Sequence, residues 1–341
     1  MDLVASAGRP RAIRRAVLLV ALPVALLVSA AASVRVGAAG LTWQQFFHAF
    51  VHYTGTDDDI IVRSLRVPRL LVSVEVGSAL AVAGGVMQGL TRNPLADPGI
   101  LGINAGAALF VVIGIGVFGA TAPGQYLWFA FFGAVLAAAA AFAISATGRG
   151  RPTPLKLTLA GVITAALCGA LTDAVTFLSP AIADDYRFWI IGDVGGRNLS
   201  VVYATAPAVL AGLLIALPAG RALNALSLGE DVARSLGQRT GLTRAAAVAA
   251  VVLLAGGAVA AAGPIAFVGL AVPNAVRSLT GNDYRWILPM SAVAGAVFVV
   301  CADIIARVIE RPAEIETGLV ISAVGAPVFL YLVSRRRLRM L

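Results

Sequence analysis

The sequence predicts an all-α polytopic membrane protein with about ten transmembrane helices, and three of its features support that fold class. Hydrophobic residues make up 59% of the 341 residues and charged residues only 13%, whereas soluble domains carry about 25% charged residues. Several apolar runs approach or reach the roughly 20 residues that cross a hydrocarbon core. The arginines lie at the ends of these runs, as is typical of membrane proteins. A soluble fold would have to bury many helices that are apolar on every side, so the composition argues against it.

The first apolar run, residues 16–35, resembles a secretory signal peptide. It follows Arg11, Arg14 and Arg15 and ends in the small residues VSAAAS, which look like a cleavage site. The run is longer than the core of a signal peptide, and several more apolar runs follow it. We therefore predict an uncleaved first transmembrane helix.

Nine further apolar runs are separated by glycine, proline and charged residues. The eighth run of the chain is short and contains Pro264 and Pro273, which predicts a broken helix because proline interrupts helical hydrogen bonding. The ten predicted helices cover residues 16–35, 66–89, 98–119, 125–147, 155–178, 200–220, 242–262, 264–280, 285–306 and 316–334.

The charges of the connecting segments alternate along the chain. One set of connections is rich in arginine, as in GRGR and the C-terminal SRRRLRM, and the other is acidic, as in TDDDI and ADDYR. Because basic residues favour the cytoplasmic side of a membrane, both termini are predicted to be cytoplasmic. We expect residues 1–341 to form a single transmembrane domain with cytoplasmic tails at 1–15 and 335–341. The net charge of +9 then reflects topology rather than nucleic-acid binding.

A polar turn, TRNPLADP at residues 91–98, follows a helix rich in small residues. Small residues let helices approach closely in lipid, where no hydrophobic force drives them together. A polar turn at membrane depth is stable only where protein or water covers it, so we expect this one at a cytoplasmic helix junction or beside a cavity. The stretch LAVAGGVMQGLTRNP also resembles GAVAAAGPIAFVGLAVPN in the second half, which suggests a repeat of four or five helices.

Residues that could form an active site are scarce. His48 and His52 lie four residues apart and could bind a metal with Asp57–Asp59, although solvated interfacial histidines are the simpler interpretation. The one lysine, Lys156, is not preceded by the glycine pattern of a phosphate-binding loop. We therefore predict that the chain is not an enzyme and binds no metal or cofactor of its own. Any ATP-driven work would need a separate subunit.

The segment ALSLGEDVARSLGQRTGLTR, residues 225–244, is long and polar. Gly229 and Gly237 interrupt its helical spacing, which predicts two short helices joined by a turn. Glu230 and Asp231 fall near the start of the second helix, where the helix dipole favours acids. A surface loop would account for this pattern, and so would a docking element for a cytoplasmic partner.

Several motifs occur in a fixed order from about residue 60 to the C-terminus. They are RVPRLL, GSALAVAGGVMQGLTRNPLADPGILGINAGA, LTLAGVITAAL, LSLGEDVARSLG, GPIAFVGLAVPNAVR, CADIIAR and ISAVGAPVFLYLV. With these motifs the sequence resembles the FecCD-type permeases, which are membrane subunits of type II ABC importers for ferric siderophores, haem and cobalamin. LTRNPLADPGILG and SLGEDVARSLG are the most specific of them.

The resemblance implies a permease of the type II importer fold in the cytoplasmic (inner) cell membrane. It also implies the partners of such an importer. These are a second permease subunit, in a homodimer or a heterodimer, two cytoplasmic ATPase subunits that bind ATP and magnesium, and an extracytoplasmic binding protein that delivers the metal chelate.

The family's functional positions can be transferred to the matching motifs. Arginines at the outer rim of such permeases receive carboxylates of the binding protein, and the matching residues are Arg66, Arg69 and Arg307. Exposed charge pairs of this kind give orientation and association rate more than affinity. The turn TRNPLA matches a cytoplasmic gate, so Asn93 and Leu95 are the gate candidates.

Further candidates follow from the same resemblance. Gln88 precedes the gate turn and is expected to face the pathway. The segment 225–244 matches the coupling helices that insert into clefts of the ATPase subunits, and the residues expected to make that contact are Leu228, Gly229, Glu230, Ala233, Leu236 and Gly237.

Two places depart from the family pattern. Pro154 and Leu155 stand where a second gate element would have small hydroxyl-bearing residues. Glu75 lies about 9 Å into the second span from Arg69, at a depth where an acid costs about 2–3 kcal/mol. We expect Glu75 to face the pathway and to pair with an arginine of the second subunit or with a cationic part of the substrate. A snorkelling or protonated acid is the alternative.

The function expected from this reading is import of a ferric siderophore, with cobalamin or haem as the alternative substrates. An ion-coupled secondary transporter is the rival class, and it would need mid-membrane relay residues. Glu75, Asp173 and Asp303 are the candidates for such a relay. A membrane enzyme would need a set of catalytic residues that the chain does not show.

Overall fold

A computed structural model describes residues 9–37, 42–120, 122–147, 153–310 and 313–337. The predicted tails at 1–15 and 335–341 and the GRGR connection therefore lie partly outside the described residues. The described residues form fifteen α-helices and no β-strand. In chain order these are α1 Arg9–Arg35, α2 Trp43–Val51, α3 Asp57–Ile60, α4 Val67–Thr91, α5 Ile103–Phe118, α6 Pro123–Ala146, α7 Pro154–Leu178, α8 Pro180–Ile191, α9 Leu199–Ala216, α10 Gly220–Ser227, α11 Glu230–Ser235, α12 Thr240–Ala262, α13 Val268–Thr280, α14 Tyr284–Ile309 and α15 Thr317–Arg337.

Each of the ten predicted segments contains a helix, which confirms the all-α membrane class. Among the described residues, seven helices are long and apolar enough to cross a membrane. Two more apolar helices, Ile103–Phe118 and Thr317–Leu330, are shorter. The remaining segment forms α13, whose 13 residues rise about 20 Å, less than the hydrocarbon thickness.

Three predicted boundaries were wrong, each for a local reason. The second segment begins earlier, because α3 continues through a π-helical stretch, Ile61–Arg66, into α4. The third begins later, because Pro98–Leu101 forms a 3-10 turn that ends in the left-handed Gly102. The predicted break at the eighth segment lies before its helix, where Gly263 and Phe267 have φ of +77° and +66°.

Two short helices, α2 and α8, were not predicted. Both lie in segments that the sequence analysis assigned to connections, and neither is a long apolar run. Helix α2 begins with a capping box between Thr42 and Gln45, a pattern that satisfies the free amides of a first turn. Pro180 at the start of α8 is favoured there because its fixed φ suits a first helical turn.

Helix α1 is hydrogen-bonded to the bundle near both of its ends. The Arg15 side chain donates hydrogen bonds of 3.0 and 2.8 Å to the Thr280 carbonyl oxygen at the end of α13. Near the other end of α1, the Ser33 carbonyl oxygen accepts a 2.9 Å hydrogen bond from Arg307 of α14. Helices α1 and α14 therefore run parallel to each other.

Helix α4 forms the centre of the bundle, and every residue from 79 to 90 is buried. It packs against α9, α12, α13 and α14. Two glycine pairs let the backbones meet there. A Cβ atom built on Gly77 would lie 2.3 Å from the Gly295 carbonyl oxygen, and one built on Gly84 would lie 1.8 Å from the Gly269 carbonyl oxygen. Close approach of this kind supplies the packing in lipid.

We predict that Gly77→Ala lowers the free energy of unfolding by about 1–3 kcal/mol, because the added methyl group must push α14 away. The measurement is the melting temperature of the detergent-purified chain. Gly169→Ala is the matched control, since a Cβ atom there meets nothing within 4 Å and alanine favours a helix. Equal melting temperatures for the two variants would contradict this account of the helix contact.

Candidate functional site

One end of the bundle carries a cluster of ion pairs around the carboxylate of Asp303. Its Oδ1 accepts a 2.7 Å hydrogen bond from Arg69 Nε, and its Oδ2 accepts a 2.7 Å hydrogen bond from Arg307 Nη2. Asp303 is 0% exposed. We call Arg66, Arg69, Asp303, Arg307 and Glu314 the arginine cluster. It joins the start of α4 to the last turns of α14.

All three predicted docking arginines belong to this cluster, and all three are hydrogen-bonded within the chain. Arg69 Nη1 donates to Glu314 at 2.5 Å, and Arg66 donates to the Val34 carbonyl oxygen. Arg66 is 6% exposed and Arg307 is 3% exposed. The docking prediction assumed exposed charges, so in this conformation the carboxylates of a partner could reach the arginines only through a cavity.

Such a cavity exists beside the cluster and has a volume of about 320 Å³. The three predicted arginines line it together with Arg197 and Glu314. Burial lowers the pKa of Arg197, and Asp193 opposes that shift. With four arginines against one acid, the cavity lining is basic.

Four polar residues of this region were missed by the sequence analysis: Asp193, Arg197, Glu314 and Thr317. Asp193 Oδ1 accepts hydrogen bonds from the Thr317 amide at 3.1 Å and its hydroxyl at 2.9 Å. The Thr317 hydroxyl also lies 3.3 Å from Asp303 Oδ1. The available signal was the polar, glycine-rich stretch GDVGGRN between two apolar runs.

The predicted gate turn lies at the opposite end of α4. Arg92 ends the helix in the left-handed conformation, with φ of +53°. The Asn93 side-chain oxygen accepts a 3.0 Å hydrogen bond from the Leu95 amide, which tightens the turn. Asn274 of α13 donates a 2.7 Å hydrogen bond to the Pro94 carbonyl oxygen. The turn is thus tied to α13, as a covered junction requires.

A cavity of about 620 Å³ lies beside this turn, and we call it the turn cavity. It brings together the pathway candidate, the gate turn and the coupling segment, which the sequence analysis treated separately. The cavity is lined by Gln88, by the turn residues Arg92 and Pro94, and by Leu228. The predicted gate residues Asn93 and Leu95 are direct neighbours of the lining residues. The expectation that the turn lies beside a cavity is met.

Polar residues missed by the sequence analysis also line the turn cavity. Asn224 donates a 2.7 Å hydrogen bond to Asp283, and Arg277 lies 3.2 Å from the Tyr284 hydroxyl. Burial raises the pKa of Asp283, but hydrogen bonds from Arg285 and Asn224 outweigh that effect and hold the pKa at about 2. Asp283 is therefore ionised at neutral pH.

The two predicted short helices are present, although the first begins at Gly220, before the predicted segment 225–244. Helix α10 ends at Ser227, and α11 begins at Glu230 after Gly229, whose φ is +126°. Burial raises the pKa of Glu230, but Arg244 and Arg234 outweigh it, so the pKa lies below its usual value. Glu230 thereby anchors α11 to the start of α12.

The exposed side of this helix pair carries large apolar side chains among polar ones. Leu228 is 68% exposed and Leu236 is 65% exposed, whereas Ala233 is fully buried beneath them. Gly237 ends the segment with φ of +80°. Large apolar side chains displayed on a polar segment indicate a protein contact.

The two pathway candidates on α4 are both enclosed by protein. Within the described residues, neither carboxylate oxygen of Glu75 has a hydrogen-bond partner, although the Thr205 side chain of α9 lies against it. Gln88 donates a 3.2 Å hydrogen bond to the Gly269 carbonyl oxygen, and its own side-chain oxygen has no partner there. An unpartnered carboxylate at this depth is costly.

The remaining candidates do not assemble a site. His48 lies 3.4 Å from Asp59 and its ring stacks on His52. No group of three or more potential metal ligands occurs among the residues that the structure describes. Near the expected second gate element, Thr153 caps α7 and Leu155 is exposed, and the preceding residues 148–152 lie outside the described chain.

Comparison with known proteins identifies the family. The model of the FecCD transport family matches residues 25–335. The chain belongs to the FecCD transport family. This FecCD assignment confirms the resemblance drawn from the motifs, and with it the class of siderophore, haem and cobalamin ABC importer permeases.

The curated relatives of this FecCD chain match it along most of its length. The probable siderophore transport system permease protein YfiZ of Bacillus subtilis is 44% identical over 319 residues, which is 94% of this chain and 96% of the relative. The ferric enterobactin transport system permease protein FepD of Escherichia coli is 41% identical over 325 residues, 95% and 97% of the two chains.

A solved structure shares the fold. It is described as an inward-facing conformation of a metal-chelate type ABC transporter, and it matches with a TM-score of 0.82 at 28% identity. The match covers 94% of this chain and 99% of the other. The FecCD chain is thus a multi-pass membrane permease.

We predict that Asp303→Asn lowers the free energy of unfolding by about 3–5 kcal/mol, because it leaves the buried Arg307 without its counter-ion and leaves Arg69 paired with Glu314 alone. The melting temperature of the purified chain measures this. Asp184→Asn is the control, since its ion pair with Arg187 is exposed and such pairs contribute about 0–1 kcal/mol. An unchanged melting temperature for Asp303→Asn would contradict the structural role.

We predict that Glu75→Gln slows substrate uptake several-fold without lowering the melting temperature. The amide keeps the side-chain shape and replaces a carboxyl group whose oxygens have no hydrogen-bond partner within the described residues, so we expect the change to affect a partner or substrate rather than the fold. Uptake into proteoliposomes is the measurement, and Asp173→Asn on the exposed side of α7 is the control. Unchanged uptake of every candidate substrate would remove the pathway role of Glu75.

Proposed function

We propose that this chain is the permease subunit of an ABC importer in the cytoplasmic membrane, and that it translocates a ferric siderophore. The supporting observation is the full-length similarity, at 44% and 41% identity, to permeases named for siderophore and ferric enterobactin transport. Haem and cobalamin are the alternative substrates, since other relatives are named for those. In all these cases the cargo is a bulky metal chelate.

The proposed orientation places the arginine cluster outside the cell. Positively charged segments then face the cytoplasm, with both termini on that side. The cavity of about 320 Å³ lined by four arginines offers a receptor for carboxylates of an extracytoplasmic binding protein. Arginine suits this task because its planar fork binds carboxylates with two hydrogen bonds. Arg66, Arg69 and Arg307 are the proposed docking residues.

The turn cavity would then open toward the cytoplasm and form the exit side of the pathway. Asn93 and Leu95 act as the proposed gate, and Gln88 lies at the cavity's inner end. The tie between Asn274 and Pro94 makes the turn move together with α13. Such coupling allows a gate to open when the helices rock as a body.

The exposed leucines of residues 225–244 form the proposed contact with an ATPase subunit. Leu228 belongs both to this exposed surface and to the lining of the turn cavity. A push on Leu228 is therefore transmitted directly to the gate region. Glu230, held by Arg234 and Arg244, keeps α11 rigid against α12. Nucleotide-driven closure of two ATPase subunits would supply the push.

An ion-coupled secondary transporter is less well supported. Of its three candidate relay residues, Asp173 is exposed and Asp303 is paired with two arginines. Glu75 alone remains, and a proton relay across the membrane needs several ionisable groups in series.

We predict that vesicles containing the permease, its ATPase subunits and its binding protein take up a ferric siderophore when ATP is supplied, without an ion gradient. A panel of labelled ferric siderophores, haem and cobalamin identifies the substrate. The control omits the ATPase subunits. Uptake driven by a proton or sodium gradient in the absence of ATP would overturn the proposal.

A further inference from the structure

An apolar groove runs along the surface between α1 and α14. Its volume is about 440 Å³, and Leu18, Leu22 and Pro23 form one wall while Trp286, Pro289 and Val293 form the other. The lining extends over six residues of α1, 18–23, and nine of α14, 285–293, which corresponds to a length of about 10 Å along the helices. The groove therefore has the apolar lining and the length to hold the first part of a lipid acyl chain.

The groove lies at the edge of the bundle. Of the apolar window of α1, only 17% is buried, and Pro289 on the opposite wall is exposed. No proposed docking, gate or coupling residue lines the groove. The groove therefore faces the surrounding lipid.

Positive charge is concentrated at one end of the groove. Arg285 directly precedes Trp286 and lines the groove, and Arg14 and Arg15 stand one helical turn before Leu18 on α1. The Arg15 guanidinium lies 5.2 Å from the centre of the Trp286 ring, so the charges of the two helices meet at the same level. Asp283 pairs with Arg285 at 3.0 Å, and three arginines against one acid leave an excess of two positive charges.

We propose that this groove is a binding site for an anionic phospholipid of the adjacent leaflet. One acyl chain lies in the groove, and the phosphate headgroup lies against Arg14, Arg15 and Arg285. The excess positive charge selects an anionic lipid over a zwitterionic one, since basic residues at this depth bind anionic headgroups. Trp286 lies between the acyl-chain groove and the arginines that hold the headgroup, as aromatic residues do at membrane interfaces.

The groove matches a lipid better than a helix of a second subunit. A transmembrane helix extends over about 30 Å, whereas the groove extends over only about 10 Å. An acyl chain needs no hydrogen bonds from the walls, and the walls named above are apolar. The proposal requires only that the chain spans the membrane and does not depend on which substrate it carries.

The experiment uses the full chain purified in detergent and mixed with phosphatidylglycerol and phosphatidylcholine that carry the same acyl chains. Native mass spectrometry measures the ratio of the two bound lipids. We expect phosphatidylglycerol to be preferred, and Arg14→Gln to reduce that preference about fivefold, the effect of one basic residue at a membrane surface. Arg35→Gln is the matched control, an exposed arginine at the other end of α1, and it should leave the ratio unchanged.

A second measurement tests the position of the acyl chain. Phosphatidylglycerol with brominated chains should quench the fluorescence of Trp286, so the quenched fraction should fall in Trp286→Phe. Val293→Phe, which fills the groove, should reduce the quenching in a protein that keeps Trp286. Equal binding of both lipids, equal effects of Arg14→Gln and Arg35→Gln, or quenching that is independent of Trp286 would each overturn the proposal.

Discussion

The buried carboxylate of Asp303 is the constraint on which the arginine end of the bundle depends. Two guanidinium groups cannot be buried at this position without a counter-ion, because unpaired charges are strongly disfavoured inside proteins. Asp303 supplies that counter-ion to Arg69 and Arg307. Arg307 in turn holds the end of α1 through Ser33. One acid therefore fixes α1, α4 and α14 together, and it holds the arginines around a cavity rather than letting them extend into solvent.

The middle of the bundle is held by a different principle. In lipid, apolar side chains gain little by leaving the surrounding hydrocarbon, so helices are held by close packing of small residues. The glycine pairs Gly77–Gly295 and Gly84–Gly269 bring α4 against its neighbours at backbone distance. A polar group enclosed there has no water to replace a missing hydrogen bond. The unpartnered oxygens of Glu75 and Gln88 are thus exceptions within a tightly packed core, and ionisable groups in such a place mark functional sites more often than structural ones.

Most of the fold could be predicted from the sequence, because an apolar run is visible locally and its length can be compared directly with the hydrocarbon thickness of a membrane. The same holds for the helix pair at 225–244, where glycines mark the ends. The ion pairs of the arginine cluster could not be predicted. Arg69 and Asp303 are 234 residues apart, and nothing in the local sequence selects one acid over another. The helices α2 and α8 were missed because they are short and not purely apolar. The turn cavity could be predicted only in part, since Asn224 and Arg277 reach it from helices that the turn motif does not indicate.

The two ends of the helix bundle differ in the size of their cavities, which bears on where a bulky substrate can pass. The arginine end leaves about 320 Å³ and the turn end about 620 Å³, and the fully buried stretch of α4 at residues 79–90 separates them. A passage through the chain would have to part the Gly84–Gly269 contact at the centre of that stretch, which joins backbones rather than movable side chains. In the proposed importer, a metal chelate would therefore pass along the surface of this chain, against the proposed second permease subunit, rather than through its core. A core held by backbone contacts would let each subunit rock as one body.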